Sequence, residues 1–160
     1  MQGDREEELR RAITIRRLAA RDISPFRDIA ALFAIEFGQA EAYVESPPSD
    51  DYVARLLDSD VFIELAAFDG DRVVGALAAY VLQKFEQERR EIYIYDLAVA
   101  ESHRRRGIAT ALILELKRLA TSLGAYVIFV QADQGDAAAI SLYSKLGSRE
   151  DVLHFDIAVE

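Results

Sequence analysis

The sequence predicts a fold of mixed α+β class, with one sheet flanked by helices, and three observations carry this prediction. Stretches of alternating apolar residues in the middle of the chain are typical of strands, and the apolar spacing becomes helical from Ile108 onward. The dipeptide Asp69-Gly70 separates two such stretches, which indicates a tight hairpin turn. The stretch 125–132 is apolar on both faces, which suits a buried strand with a parallel neighbour.

The first part of the chain predicts one strand and two helices. Alternation from Ala12 predicts the strand, and Ser24-Pro25 predicts a helix start, because serine is a common N-cap and proline fits the first helical turn. Gly38 is expected to end this helix. Ser49 is expected to cap a second, short helix that runs through Leu57.

The rest of the chain predicts three antiparallel strands, a helix, a strand, a helix and a final strand. The hairpin around Asp69-Gly70 is followed by a third strand, and a helix then runs from Ile108 to a glycine cap at Gly124. Asp136 is expected to open the last helix after the buried strand. The alternating stretch 151–159 is expected to close the chain as a strand.

Composition and charge restrict the class of protein. The 160 residues suit a single domain over 1–160 with a polar leader at 1–11, and the net charge of −9 argues against a nucleic-acid or anionic-membrane binder and favours a cationic partner. The chain has no cysteine, so a disulfide framework and a thiol nucleophile are excluded, and with two histidines no metal cluster is expected. His103 is expected to be an exposed loop residue and His154 a strand residue. The leader is charged, so we expect a cytoplasmic protein without a targeting segment.

Three consecutive arginines, Arg104 to Arg106, precede Gly107 at the junction of a predicted strand and helix. Unpaired N–H groups at a helix N-terminus bind anions, and glycine allows a phosphate to approach the backbone, so the natural ligand is a pyrophosphate. The stretch lacks the lysine and hydroxyl pair of a Walker A loop and the second glycine of a dinucleotide fingerprint. The alternative is a solvated basic cluster that offsets local acidity.

The arginine stretch also resembles the acetyl-CoA signature of the GCN5-related N-acetyltransferases, in the pattern Arg104-x-x-Gly107-x-Ala109. The segment "DAAAISLYSKLG" is similar to a second segment of that family, and the element order agrees. Stretches such as "FGQAEAY" and "GAYVIFVQADQGD" resemble the aminoglycoside 3-N-acetyltransferases of the gentamicin-resistance type. The resemblance implies a mixed, twisted sheet of about six to seven strands with about four helices, acetyl-CoA as cosubstrate and no metal. One position departs from the family, because Asp136 stands where an asparagine is usual.

The resemblance implies a cofactor site along one strand end, the arginine turn and the last helix. Backbone groups of Leu97 and Val99 would hold the acetyl carbonyl and the pantetheine arm, and a backbone N–H near Val99 would polarise the thioester. Arg104 is expected to lie closest to the pyrophosphate. The residues expected to bind cofactor are Leu97, Ala98, Val99, Arg104, Arg105, Arg106, Gly107, Ile108, Ala109, Thr110, Asp136, Ala139 and Tyr143.

Two residues are predicted to be catalytic, Tyr143 and Asp96. By resemblance, Tyr143 protonates the thiolate leaving group, and a tyrosine is protonated at neutral pH; the alternative is a half-buried aromatic residue. The attacking amine must lose a proton, and Asp96 is the candidate base; the alternative is a structural role, in which a backbone group or an arginine pairs with Asp96 at the split in the sheet. Asp96 is expected on the face opposite Glu91, unless a bulge re-aims it. The residues expected to bind the acceptor are Glu91, Tyr93, Tyr95, Asp133 and Asp156.

These predictions favour acetyl transfer from acetyl-CoA to the 3-amino group of a gentamicin-type aminoglycoside, which would confer resistance. The absence of cysteine supports direct attack in a ternary complex. One alternative keeps the chemistry and takes a polyamine or another cationic metabolite as acceptor. Another is a non-catalytic acyl-CoA-binding module. A homodimer is one expected assembly.

Overall fold

The computed structural model describes residues 12–160, so the predicted leader at 1–11 lies outside the described residues. A π-helical turn at Glu41–Glu45 and a 3-10 turn at Glu101–His103 connect the regular elements. The chain divides into two compact units, one that ends at Val130 and one that comprises Gln131–Glu160. The regular elements are β1 (Thr14–Arg17), α1 (Ile23–Phe37), α2 (Asp50–Leu57), β2 (Phe62–Asp69), β3 (Arg72–Gln83), β4 (Arg90–Val99), α3 (Ile108–Ser122), β5 (Ala125–Val130) and α4 (Ala137–Ser144).

The mixed sheet of the first unit confirms the predicted fold class. Its strand order is β1-β2-β3-β4-β5, in which the first four strands are antiparallel neighbours and β5 is parallel to β4. β5 is an edge strand with Tyr126 and Val127 exposed, so it is less buried than its apolar sequence suggested.

Within residues 12–160 the sheet has five strands, fewer than the six to seven expected, and the predicted closing strand at 151–159 is wrong. That segment carries alternating apolar side chains such as Leu153 and Phe155, which are exposed. Alternation gives a segment strand propensity, but a strand also needs a neighbour that pairs its backbone N–H and C=O groups. The sequence pattern contains no information about that neighbour.

The helices of the first unit begin and end where short-range signals place them, with one exception. Ser49 caps α2 by accepting a hydrogen bond from the Tyr52 N–H at 3.2 Å, as predicted. The predicted start of α1 at Ser24 is wrong, because the helix begins at Ile23. The carboxylate of the preceding Asp22, which is buried, binds the guanidinium of the half-exposed Arg16 at 2.9 and 3.0 Å, and this pair fixes the entry into the helix.

The sheet splits along β4. The ladder between β4 and β5 runs from the Arg90–Ala125 pair to the Ile94–Val130 pair. β4 continues to Val99 and remains paired with β3 on its other side. The last five residues of β4 therefore extend beyond its ladder with β5, and their backbone edge is available to an extended ligand.

A β-bulge interrupts β4 at the split. Asp96 lies opposite Ala78 and Ile94 lies opposite Ala79, so Tyr95 is the extra residue. Side chains alternate along a strand, and the bulge therefore moves Asp96 onto the face that carries Tyr93. A bulge was the one condition under which Asp96 was expected to lie on that face, and the structure has this bulge.

The start of α3 packs closely on the sheet at Gly75 of β3. A Cβ atom on Gly75 would lie 3.0 Å from Cγ2 of Ile108, which is a tight contact, so glycine lets the helix approach the strand. The approach brings the arginine turn close to the end of β4. Within residues 12–160, no helix has the length and the apolar character needed to span a membrane.

Candidate active site

A cleft in the first unit lies between the first two helices and the face of β2, β3 and β4. Its walls are mainly apolar and aromatic, and they include two carboxyl groups. The lining residues are Phe26, Ala30, Phe33, Tyr43, Leu56, Phe62, Glu64, Ala78, Tyr80, Tyr95 and Asp96. A concave surface of this kind with convergent polar groups is typical of a ligand site.

Asp96 is held in the cleft by Tyr43. The Tyr43 hydroxyl donates a hydrogen bond to Asp96 Oδ1 at 2.9 Å, and the Tyr43 ring packs edge-on against Phe33 at a centroid distance of 5.7 Å. Burial raises the pKa of Asp96, and the hydrogen bond from Tyr43 opposes that shift. Burial and the neighbouring Asp96 raise the pKa of Tyr43, so its hydroxyl stays protonated as a donor. Under the structural alternative, Asp96 would pair with an arginine or a backbone group, whereas its partner in the structure is the Tyr43 hydroxyl.

Glu64 is the second carboxyl group of the cleft. It stands in the apolar strand β2, its residue surface is 4% exposed, and its Oε2 atom has no hydrogen-bond partner among the described contacts. Burial, with a contribution from the charge of Asp96, raises the pKa of Glu64 to about 8. A buried carboxyl group with a pKa near neutrality is a candidate for acid–base chemistry.

Only part of the predicted acceptor set lines the cleft. Tyr95 does, and its ring makes an edge-on contact with Tyr80 at 5.7 Å. Tyr93 stacks on Phe129 at 4.7 Å instead. Glu91 lies near the start of β4, where its carboxylate is 3.5 Å from Lys84 Nζ and accepts a hydrogen bond from the Tyr126 hydroxyl. Glu91 and Tyr93 are thus not among the residues that line the cleft, because the cleft is at the bulge and they precede it on β4.

The arginine turn has the backbone conformation of an anion site. Arg105 and Gly107 have left-handed φ angles of 62° and 76°, and Gly107 is the N-cap of α3. A Cβ atom at Gly107 would meet no atom within 4 Å, so the space above this glycine is open. The first N–H groups of α3 point out of the helix end and need an acceptor. Backbone and dipole together therefore favour an anion here.

Arg104 is engaged on the protein side of this turn. Its guanidinium forms an ion pair with Glu36 near the end of α1, and its Nε atom is 3.4 Å from the Val99 carbonyl oxygen. Arg104 was the arginine expected to lie closest to the pyrophosphate. In the structure, Arg104 connects α1 to the end of β4 through these contacts, and all three arginines are exposed.

His103 is buried, so the expectation of an exposed loop residue is wrong. Its residue surface is 7% exposed, its Nε2 atom is 3.1 Å from Asp69 Oδ2, and its Nδ1 atom is 2.8 Å from Ser102 Oγ. The 3-10 turn folds back so that the imidazole reaches the hairpin between β2 and β3. His103 thereby joins the arginine turn to the sheet.

The second unit carries the other predicted catalytic residue. Tyr143 lies on α4, and burial, with a contribution from Asp136, raises the pKa of Tyr143 to about 12. Asp136 caps this helix by accepting a hydrogen bond from the Ala139 N–H at 3.0 Å. The backbone carbonyl of Asp133 in turn accepts from the Asp136 N–H at 3.0 Å. Asp136 therefore has a structural use at the position where the resemblance gives an asparagine.

In the final segment, the predicted acceptor residue Asp156 lies beside His154. His154 Nε2 lies 2.9 Å from Asp156 Oδ1, and both side chains are exposed. The expectation of a strand at His154 is wrong, since the segment is not paired as a strand.

Among the polar residues of the cleft, sequence reasoning missed three: Tyr43, Glu64 and Tyr80. Glu64 had a visible signal, because a carboxylate in the middle of an apolar strand is seldom buried without a function. Tyr43 lies in the stretch that carried the resemblance, but its distance of 53 residues from Asp96 along the chain hid their contact. Tyr80 joins the cleft only through the register of β3.

The chain matches the Acetyltransferase (GNAT) family over residues 26–148. Among solved structures, an aminoglycoside acetyltransferase from an uncultured soil metagenomic sample is 54% identical with a TM-score of 0.91, and the match covers 93% of this chain and 99% of that one. A second such enzyme from soil metagenomic material, solved in complex with sisomicin, is 31% identical with a TM-score of 0.85, over 92% of this chain and 97% of the other.

Curated relatives are more distant. N-acetyltransferase 8B of Rattus norvegicus is 22% identical over 125 residues, which cover 71% of this chain and 56% of that protein. The chloroplastic GCN5-related N-acetyltransferase 4 of Arabidopsis thaliana is 32% identical over 104 residues, which cover 63% of this chain and 36% of that protein. The matches thus span from about a third to just over half the length of these curated relatives. Together with the fold, the split strand and the anion turn, the family match leads to one conclusion: this chain belongs to the GNAT family of acetyltransferases.

Proposed function

We propose that this acetyltransferase transfers the acetyl group of acetyl-CoA to the 3-amino group of gentamicin-type aminoglycosides, by direct attack in a ternary complex. The observation that carries the proposal is the cleft in which Glu64 and Asp96 stand among aromatic side chains. Carboxylates attract ammonium groups, and aromatic faces suit the apolar faces of sugar rings. Two similar solved structures, one with sisomicin bound, are named aminoglycoside acetyltransferases and support this choice of acceptor.

The residues at the split in the sheet fit acetyl-CoA. The edge of β4 from Leu97 to Val99 extends beyond the β5 ladder and would pair with the pantetheine arm as an added strand. The open space above Gly107 and the amides of Ile108 to Thr110 would receive the pyrophosphate, with Arg105 and Arg106 adding charge. When bound, acetyl-CoA supplies the activated acetyl group.

On the acceptor side, we propose that Asp96 binds the amine of the incoming aminoglycoside. Its carboxylate is fixed by the Tyr43 hydroxyl and lies at the bulge, next to the β4 edge that would bind the acetyl arm. The net charge of −9 adds long-range attraction for a polycationic antibiotic. An acceptor held in this way has its amine near the thioester, and proximity of that kind lowers the barrier to attack.

Tyr143 keeps the role that the resemblance gives it, the protonation of the thiol leaving group. Its raised pKa of about 12 means that the hydroxyl carries its proton at neutral pH, as a general acid must. The proposal also keeps the sequence predictions of a cytoplasmic location, of a resistance phenotype and of a homodimer, the last of which sedimentation would test.

The test is a screen for free thiol released from acetyl-CoA with gentamicin, kanamycin and spermidine as acceptors. We expect release with the aminoglycosides, and NMR of the isolated product should place one acetyl group on the 3-amino nitrogen. Turnover of spermidine alone would favour the polyamine alternative. Binding of acetyl-CoA without thiol release from any amine would identify a non-catalytic module and overturn the proposal.

A further inference from the structure

The two carboxyl groups of the cleft belong to one row of residues across three strands. Glu64 of β2 lies opposite Ala78 of β3, and Ala78 lies opposite Asp96 of β4. Neighbouring strands are about 4.8 Å apart, so the backbones that carry the two carboxyl groups are about 10 Å apart. All three residues line the cleft, and Ala78, which lies between the other two in the row, carries only a methyl group. The row therefore places one carboxyl-bearing residue on each side of a small side chain in the cleft.

The two carboxyl groups differ in their partners. Asp96 accepts a hydrogen bond from Tyr43, whereas Glu64 Oε2 is buried without a partner among the described contacts. A buried polar atom without a partner costs free energy, and where it lines a cleft it indicates a ligand that supplies the missing bond. The ionisable groups that share the cleft with Glu64 are Tyr43, Tyr80, Tyr95 and Asp96, so none of its described lining residues is a lysine, arginine or histidine.

We propose that Glu64 accepts the proton of the incoming amine, while Asp96, held by Tyr43, anchors the same nitrogen over Ala78. This inference rests on the proposed function in one respect, that the cleft receives the acceptor amine. It moves the role of base, which the sequence predicted for Asp96, to Glu64, because Asp96 has a fixed hydrogen bond and Glu64 has a buried acceptor atom without a partner among the described contacts.

The proton balance of the step is complete. The ammonium nitrogen loses one proton to Glu64 Oε2, and the freed lone pair forms the new C–N bond to the acetyl carbon. The C–S bond breaks, and the sulfur takes its electron pair and one proton. The nitrogen loses its second proton as the amide forms. Of these two protons, one balances the proton that the sulfur takes up, and the other leaves Glu64 for solvent. Burial holds the pKa of Glu64 at about 8, which is close to the operating pH, where a general base is most effective.

Glu64→Gln is the direct test, because glutamine has the shape of a protonated glutamate and preserves packing but cannot take up the proton. We expect kcat to fall by about 100-fold or more, with the KM for acetyl-CoA within about twofold of wild type. Asp96→Asn is the matched variant, and it should raise the acceptor KM by a larger factor than Glu64→Gln does. A Glu64→Gln enzyme with wild-type kcat between pH 6 and pH 9 would overturn the assignment.

A binding measurement separates this inference from the proposed function. Calorimetry of kanamycin binding at pH 7, in two buffers of different ionisation enthalpy, counts the protons released without any turnover. Wild type should release close to one proton, since Glu64 is protonated before binding and the pair holds a single shared proton afterwards. Glu64→Gln should release close to none. Equal release by both proteins would refute the role of Glu64 while leaving the function intact, whereas wild type that neither binds nor acetylates an aminoglycoside would refute both.

Discussion

The candidate site has a cofactor half and an acceptor half, and the two halves use different parts of the chain. The proposed cofactor half consists mainly of backbone: the β4 edge beyond Ile94 and the α3 N-terminus behind Gly107. The acceptor half consists of side chains from separate elements, with Glu64 from β2, Asp96 from β4 and Tyr43 from the π-helical turn. A backbone site depends on φ angles and open space, whereas a side-chain site depends on individual functional groups. The two halves should therefore respond to different kinds of substitution.

Asp96→Asn should give the largest effect on the acceptor half. Removal of a charge that pairs with a desolvated ammonium should lower kcat/KM for the aminoglycoside roughly 100- to 1000-fold and leave acetyl-CoA affinity almost unchanged. Steady-state kinetics with each substrate varied would measure both values. Asp71→Asn removes an equal charge from an exposed turn and serves as control. Similar losses in both variants would mean that net charge, and not the cleft, governs the acceptor.

Tyr143→Phe should give the next largest effect, a fall in kcat of about 100-fold with little change in the KM of either substrate. The substitution keeps the ring and removes the hydroxyl, whose raised pKa keeps it protonated at neutral pH. Tyr126→Phe, at an exposed ring outside the cleft, is the control. A folded Tyr143→Phe enzyme with wild-type kcat would assign Tyr143 to packing.

Gly107→Val should raise the KM for acetyl-CoA about tenfold or more, because a branched side chain would fill the open space in front of the helix amides. A side chain is also strained at a φ of 76°, so the matched control is Gly124→Val, at a φ of 70° after α3. Both variants should lose similar thermal stability, and only Gly107→Val should lose cofactor affinity. An equal change in KM would show that strain alone is responsible.

The smallest predicted effect is on stability and its pH dependence. Glu64 has a raised pKa of about 8 in the folded protein, so between the ordinary glutamate value and pH 8 the folded state retains a proton that the unfolded state has lost. Stability from this group is therefore greatest at low pH and falls as pH rises through that window. From pH 6 to pH 8.5, the Tm of wild type should fall by about 3 °C or more relative to Glu64→Gln.

Glu88→Gln, at an exposed position, is the control for this titration and should follow wild type. Parallel Tm profiles for wild type and Glu64→Gln, measured by calorimetry, would show that the pKa of Glu64 is not raised.

The same contrast explains what the sequence could predict. The hairpin at Asp69-Gly70, the Ser49 cap and the arginine turn depend on residues close together in the chain, so local chemistry indicates them directly. The contact of Tyr43 with Asp96 depends on the bulge at Tyr95, which the sequence allowed but did not require. The row through Glu64 requires the register of three strands, which is a property of the assembled sheet.

Two further differences between the sequence predictions and the structure also arise from parts of the chain that are far apart in sequence. Burial of His103 depends on a hydrogen bond to Asp69, 34 residues earlier, so the loop position alone suggested exposure. The segment 151–159 has the alternation of a strand, but pairing needs a neighbour that alternation does not specify. Local patterns thus predicted the strand-to-helix junction that carries the arginine turn, while the positions of Tyr43 and Glu64 beside Asp96 became visible only in the folded chain.

The most direct test of the separation between the two halves is a pair of titrations on two variants. Calorimetry would measure the Kd of CoA and the Kd of kanamycin for Gly107→Val and for Asp96→Asn. We expect opposite results for the two variants: Gly107→Val should weaken CoA binding about tenfold or more and leave kanamycin binding intact, while Asp96→Asn should do the reverse. If each variant lost both ligands equally, the two halves would not be separate sites and the assignment of cofactor to the α3 turn and of aminoglycoside to the cleft would be contradicted.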